Sequence, residues 1–150
     1  MVLQVELVSP ERVVFSGEAQ MVVARTVGGG DIAFMDGHTP VLGALDIALA
    51  TIRTAEGDQQ VALHGGFVEV AHEPLGVADA AATREEQAPR SSTRVTILSD
   101  VAELSTDIDV ERARPAKERA EKQLEREHDA EAEGALRRAH ARLLASGHPV

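Results

Sequence analysis

The chain has 150 residues and carries 25 Asp and Glu against 15 Lys and Arg, a formal net charge of −10 that argues against nucleic acid as its main partner. Tyr and Trp are absent and there are three Phe, so base stacking and aromatic cages have almost nothing to work with. Cysteine is also absent, which excludes a disulfide framework and a thiolate metal site and fits a reducing compartment.

This length suits one ordinary domain, or a small domain with an appendage. No apolar run approaches the ~20 residues needed to cross a bilayer, so no direct membrane span is expected. The opening MVLQVELVSPE has neither a basic n-region nor an h-region, so no secretory signal is expected either. The core must be built from Val, Leu, Ile and Ala.

The first hundred residues predict strands. In VLQVELV, Leu3, Val5 and Leu7 face one way and Gln4 and Glu6 the other, the period of a half-buried strand. Ser9-Pro10-Glu11 signals a turn. RVVFSG and AQMVVARTV are short β-branched runs bounded by Gly17 and Gly28. IALATIR and QVALH flank Thr54-Ala55-Glu56-Gly57-Asp58 and read as a hairpin. Gly65-Gly66 precedes FVEV, and RVTIL is the last strand. Short strands at regular spacing predict a small sandwich or barrel over residues 1–102. Within it, residues 73–93 break the rhythm with Pro, Ala, Ser and mixed charges, and predict an irregular hairpin excursion.

Residues 28–45, GGGDIAFMDGHTPVLGAL, raise a chemical question. Gly28, Gly30 and Ala33 formally fit the G-x-G-x-x-A dinucleotide fingerprint, which requires a helix to open there and meet the pyrophosphate. Gly37 and Pro40 leave no room for that helix, and Arg53 occupies the place of the acidic residue expected ~20 positions on. A turn needing positive φ explains the glycines instead. Asp36 and His38 could form an acid/base pair, but no G-x-S-x-G or H-E-x-x-H accompanies them. The six His show no metal-ligand spacing. A loop histidine that bonds backbone or a partner is the simpler role for His38.

From Asp107 the character changes to helix. DIDVERARPAKERAEKQLERE is rich in good helix formers, with Asp109 as the N-cap and Pro115 tolerable only in an early turn. Val110, Ala113, Ala116 or Lys117, Ala120 and Leu124 mark one apolar face. A break near Glu127-His128-Asp129 precedes EAEGALRRAHARLLA, whose face is Ala132, Leu136, Ala139 and Leu143. Together they predict an antiparallel helical hairpin over 103–150. Its seam is mostly Ala, and an Ala methyl contributes less than ~1 kcal/mol where a buried Val or Leu contributes ~1.5–3 kcal/mol. The hairpin is therefore expected to be held only marginally and to detach without unfolding the β domain.

Arg112, Arg119, Arg138 and Arg142 fall on these two helices. Four guanidiniums converging across a hairpin suit a phosphate chain. The alternative is a solvated face with i,i+4 pairs such as Glu118–Lys122 and Glu133–Arg137. Periodicity alone leaves both open.

The order of these motifs resembles the epsilon subunit of the bacterial F-type ATP synthase, called delta in mitochondria. The likeness rests on G-x-x-x-x-x-x-G-H-x-P-x-L from Gly30 through Gly37, His38, Pro40 and Leu42. It rests also on HGGFVEV, on VTILSD and on DIDVERARPAKERAE. It covers nearly the whole chain outside about 73–93, where the family has a tight hairpin. The chain departs from the family at Ala33, where Gly is usual, and at Asp36, where Pro is usual; both changes alter loop stiffness.

The resemblance implies an all-β sandwich of about ten strands followed by the helical hairpin. It implies a non-catalytic central-stalk subunit that links gamma to the c-subunit ring and couples proton flow to ATP synthesis. It also implies that the hairpin restrains ATP hydrolysis by extending towards the alpha/beta catalytic subunits. The location implied is peripheral, on the cytoplasmic face of the bacterial inner membrane. Partner contacts would come from Asp31, Met35, Gly37, His38, Pro40 and Leu42. Some family members bind ATP through an I/L-D-x-x-R-A motif, matched here by residues 108–113. By that likeness Glu103, Asp109, Arg112, Ala113, Arg119, Arg138 and Arg142 would hold ATP, as a regulatory ligand and not a required cofactor. Two rivals remain: a free-standing nucleotide-binding regulatory module, and a small hydrolase using Asp36 and His38.

Overall fold

A computed structural model describes residues 2–72 and 93–150 of the chain. The excursion expected over 73–93 lies, apart from Thr93, outside the described residues. Eight strands pair in one continuous sheet: β1 Leu3–Val8, β2 Val13–Ala19, β3 Met21–Thr26, β4 Gly30–Phe34, β5 Val41–Thr54, β6 Gly57–His72, β7 Thr93–Leu98 and β8 Ala102–Leu104. Two helices follow, α1 Val110–Arg126 and α2 Ala130–Ala145.

The two long strands turn this sheet into a sandwich. Residues 66–72 of β6 pair with β7 and residues 61–63 with β8, while β5 runs beside β6 along its whole length. One layer is therefore β2-β1-β7 with one half of β6 and β5, and the other is β4-β3 with the remaining halves and β8. Counting each half separately gives the ten strand positions the resemblance implied. The sequence reading took QVALH and FVEV as separate strands, but they are one strand bent at Gly65-Gly66. Both glycines have positive φ, +87° and +128°, and a Cβ on Gly66 would lie 2.1 Å from the Leu98 carbonyl oxygen. No L side chain fits that bend.

Between the layers lie Leu3, Val5 and Leu7 of β1, Val95 and Ile97 of β7, and Val22, Phe34, Ile52, Val61 and Leu63 from the other side. The alternation read in VLQVELV thus points its apolar set inward. Opposite Val61 and Leu63, the intervening Ala62 faces outward, where α2 covers it. Ala62, Ile108, Ala141 and Ala145 form a second apolar cluster there, flanked by Ile47 and Leu49. The hairpin therefore rests on the sheet largely through methyl groups.

The chain leaves the sheet at Leu104, two residues beyond the domain boundary expected at 102, so Glu103 belongs to β8. A single 3-10 turn, Ser105–Asp107, leads to α1, and Arg12 Nη2 bonds Asp107 Oδ2 at 2.9 Å beside it. The Asp109 side chain caps α1 by accepting from the Arg112 N–H at 3.1 Å, as its position predicts. Pro115 sits in the second turn and the helix runs through it; both Pro115 and Glu111, whose carbonyl loses its helical donor, are exposed to water. Residues 127–129 join the helices, and Asp129 caps α2 through the Glu131 N–H at 3.0 Å. Ala113 and Ala120 of α1 and Ala132, Ala139 and Leu143 of α2 are buried; Leu124 and Leu136 are half-buried.

Candidate functional site

The glycine-rich stretch forms no phosphate loop. Gly28 and Gly30 have φ of +73° and +84°, and Gly30 opens strand β4 where a dinucleotide site would need a helix. Asp31 is held by a two-pronged pair with Arg25, at 2.8 and 3.1 Å, which keeps its carboxyl below the ordinary range. The His38 N–H donates to the Met35 carbonyl at 3.0 Å, and its ring Nδ1 donates to the Thr39 carbonyl at 2.7 Å. The ring also meets Phe34 edge-on, 5.1 Å between centroids. The imidazole nitrogen that an acid/base dyad would give to a carboxylate thus goes to backbone. Gly37, at φ +81°, donates its N–H to Thr93 Oγ1 at 2.9 Å. These bonds fix a loop that leaves Met35, Pro40 and Leu42 exposed, Leu42 to 74%.

Leu42 belongs to a larger apolar surface. Phe67 and Leu98, both more than half exposed, sit directly opposite one another on β6 and β7, and Phe67 faces Ala44 of β5. They form the outer side of the layer that the hairpin does not cover.

The second region lies where α1, α2 and β8 meet. Glu103, Asp109, Arg112, Ala113, Ala116, Arg119 and Arg142 line a cavity of 160 Å³. Six of these seven are residues that the resemblance named; Ala116 is the addition. Glu103 Oε2 accepts from Arg142 Nε at 2.6 Å and from His64 Nε2 at 3.0 Å. Asp109 is occupied by the helix cap. Arg112 and Arg119 make no ion pair among the described residues. Three guanidiniums therefore face two carboxylates that are already engaged, beside the N-terminus of α1. In a chain of net charge −10 this is a local concentration of positive charge, suited to an anion. The cavity is smaller than the ~300–1,000 Å³ usual for small-molecule pockets, so it has room for only part of a ligand of nucleotide size.

Arg138 does not line this cavity. Its guanidinium folds back over Gly134, with Nη1 only 3.1 Å from where a Cβ on that glycine would lie. Of the two helix pairs considered, Glu118–Lys122 makes no ion pair among the described residues and Arg137 reaches Asp46 on β5 and not Glu133; Lys117 pairs with Glu121 at 3.6 Å instead. The sequence reading missed His64. Its side chain is 3% exposed, and burial first, then Arg142, pushes its imidazole below the ordinary value against the opposing pull of Glu103. The available signal was alternation: His64 shares the outward face of Ala62, a small residue that implies a cover.

A two-layer β-sandwich carrying a helical hairpin, with an anion-suited cleft at their junction, is the class of protein this structure defines. A family model for the β-sandwich domain of the ATP synthase delta/epsilon chain matches residues 2–85, and one for its long α-helix domain matches residues 106–147. The ATP synthase epsilon chain of Streptomyces griseus is 43% identical over 144 residues, 95% of this chain and 94% of that one. The epsilon chain of Brevibacillus brevis is 44% identical over 124 residues, 81% of this chain and 77% of that one. A chain in the mitochondrial ATP synthase of Euglena gracilis, solved with OSCP, F1 and c-ring, has the same fold. Its TM-score is 0.71 at 19% identity, covering 98% of this chain and 82% of that one. The chain belongs to the ATP synthase delta/epsilon family and, within it, to the epsilon type. Among the described residues no helix is long and apolar enough to cross a membrane.

Proposed function

We propose that this chain is a non-catalytic rotor subunit of the proton-translocating ATP synthase, joining gamma to the c ring and carrying a detachable hairpin that restrains ATP hydrolysis. The shaped loop from Asp31 to Leu42, with His38 at its centre, is the contact with gamma and the c ring. The exposed Leu42, Phe67 and Leu98 support this, because monomeric proteins rarely leave such a patch uncovered. The hairpin reaches the alpha/beta subunits when it leaves the sheet. The complex holds the chain peripherally at the cytoplasmic face of the bacterial inner membrane.

The hairpin is also read as an ATP sensor. The observation that carries this is the cleft in which Arg112, Arg119 and Arg142 converge with Glu103 and Asp109. A triphosphate bridging α1 and α2 would favour the folded hairpin, because it binds that arrangement and not the extended one. The test is a pull-down with gamma, with and without ATP. Capture by gamma in both conditions, with calorimetric ATP binding weakened in Arg142→Ala and Asp109→Ala, is the expected result. Capture without ATP binding leaves the rotor and removes the sensor. ATP binding without capture returns the chain to a free-standing nucleotide-binding module.

A further inference from the structure

His64 opens the HGGFVEV stretch but was given no role in the sequence, and it is the only histidine of the described residues that touches the cleft through one of its lining side chains. It lies on β6 next to the Gly65-Gly66 bend. Its N–H donates to the Val101 carbonyl at 3.1 Å, which ties this point of the strand to the segment entering β8. Its ring passes beneath Glu103. Carboxylate oxygens only accept, so Nε2 carries the proton and Nδ1 is left as an acceptor. That Nδ1 is buried and has no hydrogen-bond partner among the described residues.

One oxygen of Glu103 takes both bonds, from His64 Nε2 and from Arg142 Nε. The two Nη groups of Arg142 have no hydrogen bond among the described residues and remain for a ligand. The Glu103 carboxylate is thus a joint: the imidazole holds it from the sheet, and it holds the guanidinium of α2. We infer that His64 is a positioning residue of the nucleotide cleft, setting through Glu103 the placement of Arg142 for a phosphate chain. This rests on the ATP-sensor reading above.

The charged groups facing His64 are Glu103 from β8 and Arg142 and Arg138 from α2; its partner across β5 is Ile47, which does not titrate. Burial and the two arginines push the ring below the ordinary histidine value, with Glu103 opposing them. A triphosphate against Arg142 would offset one of these positive charges and so ease protonation of Nδ1. By reciprocity, proton uptake by His64 then strengthens nucleotide binding.

The experiment follows the ring C–H resonances of the full chain through a pH titration, with and without ATP, and measures ATP affinity at about pH 8 and about pH 6, either side of the ordinary histidine value. Three chains are compared: the wild type, His64→Gln, which keeps a donor but cannot titrate, and His64→Leu, which has no donor. The expected result is that ATP moves the His64 titration upward. Wild-type affinity should also rise about fivefold more than that of His64→Gln between the two pH values, a typical coupling. His64→Gln serves as the reference for the titration of ATP itself. At the higher pH, His64→Gln should match the wild type while His64→Leu binds about tenfold more weakly, as loss of a hydrogen bond to a charged group requires. If ATP binds with the His64 titration unmoved, or His64→Leu binds like the wild type, the positioning role is wrong and the nucleotide reading stands. If the wild type binds no ATP at either pH, both fall. Should His64→Leu fail to fold, the wild type and His64→Gln decide the matter alone.

Discussion

The interior of the sandwich and the contact beneath α2 are built from different materials. Between the sheet layers are Leu3, Leu7, Phe34, Ile52 and Leu63, each at most 2% exposed. At the α2 contact, Ala141 and Ala145 of the helix meet Ala62 and Ile108, flanked by Ile47 and Leu49. Around that thin apolar patch stand polar groups: Arg137 with Asp46, and Arg142 and the neutral His64 with Glu103. Large side chains contribute ~1.5–3 kcal/mol each on burial and alanines well under half of that. The first region therefore holds the fold, and the second is the weaker contact, the one that salt, protons and ligands would shift on the proposed reading.

The sharpest way to break this contrast is at the bend. Gly66→Ala places a methyl against the Leu98 carbonyl at positive φ, where backbone must move. It should destabilise the whole chain by on the order of 3 kcal/mol or more in chemical denaturation. Removing everything from Asp107 onward tests the other side. The β domain should remain folded and still couple, while ATP hydrolysis by the complex rises; a truncated chain that fails to assemble would contradict the separation. Arg142→Ala should loosen only the hairpin, by about 1–3 kcal/mol, read as faster hydrogen exchange in α2 with β1 and β7 unchanged.

Protons should act on the same contact. His64 is neutral when covered, with its value pushed below the ordinary 6.5. The uncovered chain therefore binds more protons, and stability rises with pH. The docked hairpin should be fully held above the ordinary value and loosen as pH falls from there towards the lowered one. Exchange in α2 that does not quicken across that window would contradict this. The smallest effect belongs to the exposed helix pair: Lys117→Ala should change stability by no more than about 0.5 kcal/mol.

Local signals were legible. Alternation fixed the inward set of β1, and Asp109 announced its helix by a short acceptor ahead of an Ala-rich run. The break at 127–129 showed where the two apolar faces fall out of phase. Non-local pairings were not legible. The one parallel neighbour of β1 is β7, some 90 residues away, and nothing in either strand encodes that choice. The division of β5 and β6 between two layers is a property of the bend, visible in sequence only as two glycines.

The cleft was legible through its family motif and not through chemistry alone. Arg138 shows the limit. It shares a helical face with Arg142, but Gly134 one turn back leaves a space that its guanidinium fills. His64 shows the converse: its role depends on β8 and α2 arriving on the same face, which no local pattern records.

The exit from the sheet at Leu104 also has a mechanical meaning. β8 is paired to β6 up to this residue, and the turn behind it is tied to Arg12. A swing of the hairpin, as proposed above, would thus have its fulcrum at residues 105–108. With 17 residues at ~1.5 Å each, α1 is a lever about 25 Å long. A few degrees of opening at one short turn would become ångströms of travel at residues 127–129, so small changes at the cleft can be read at a distance.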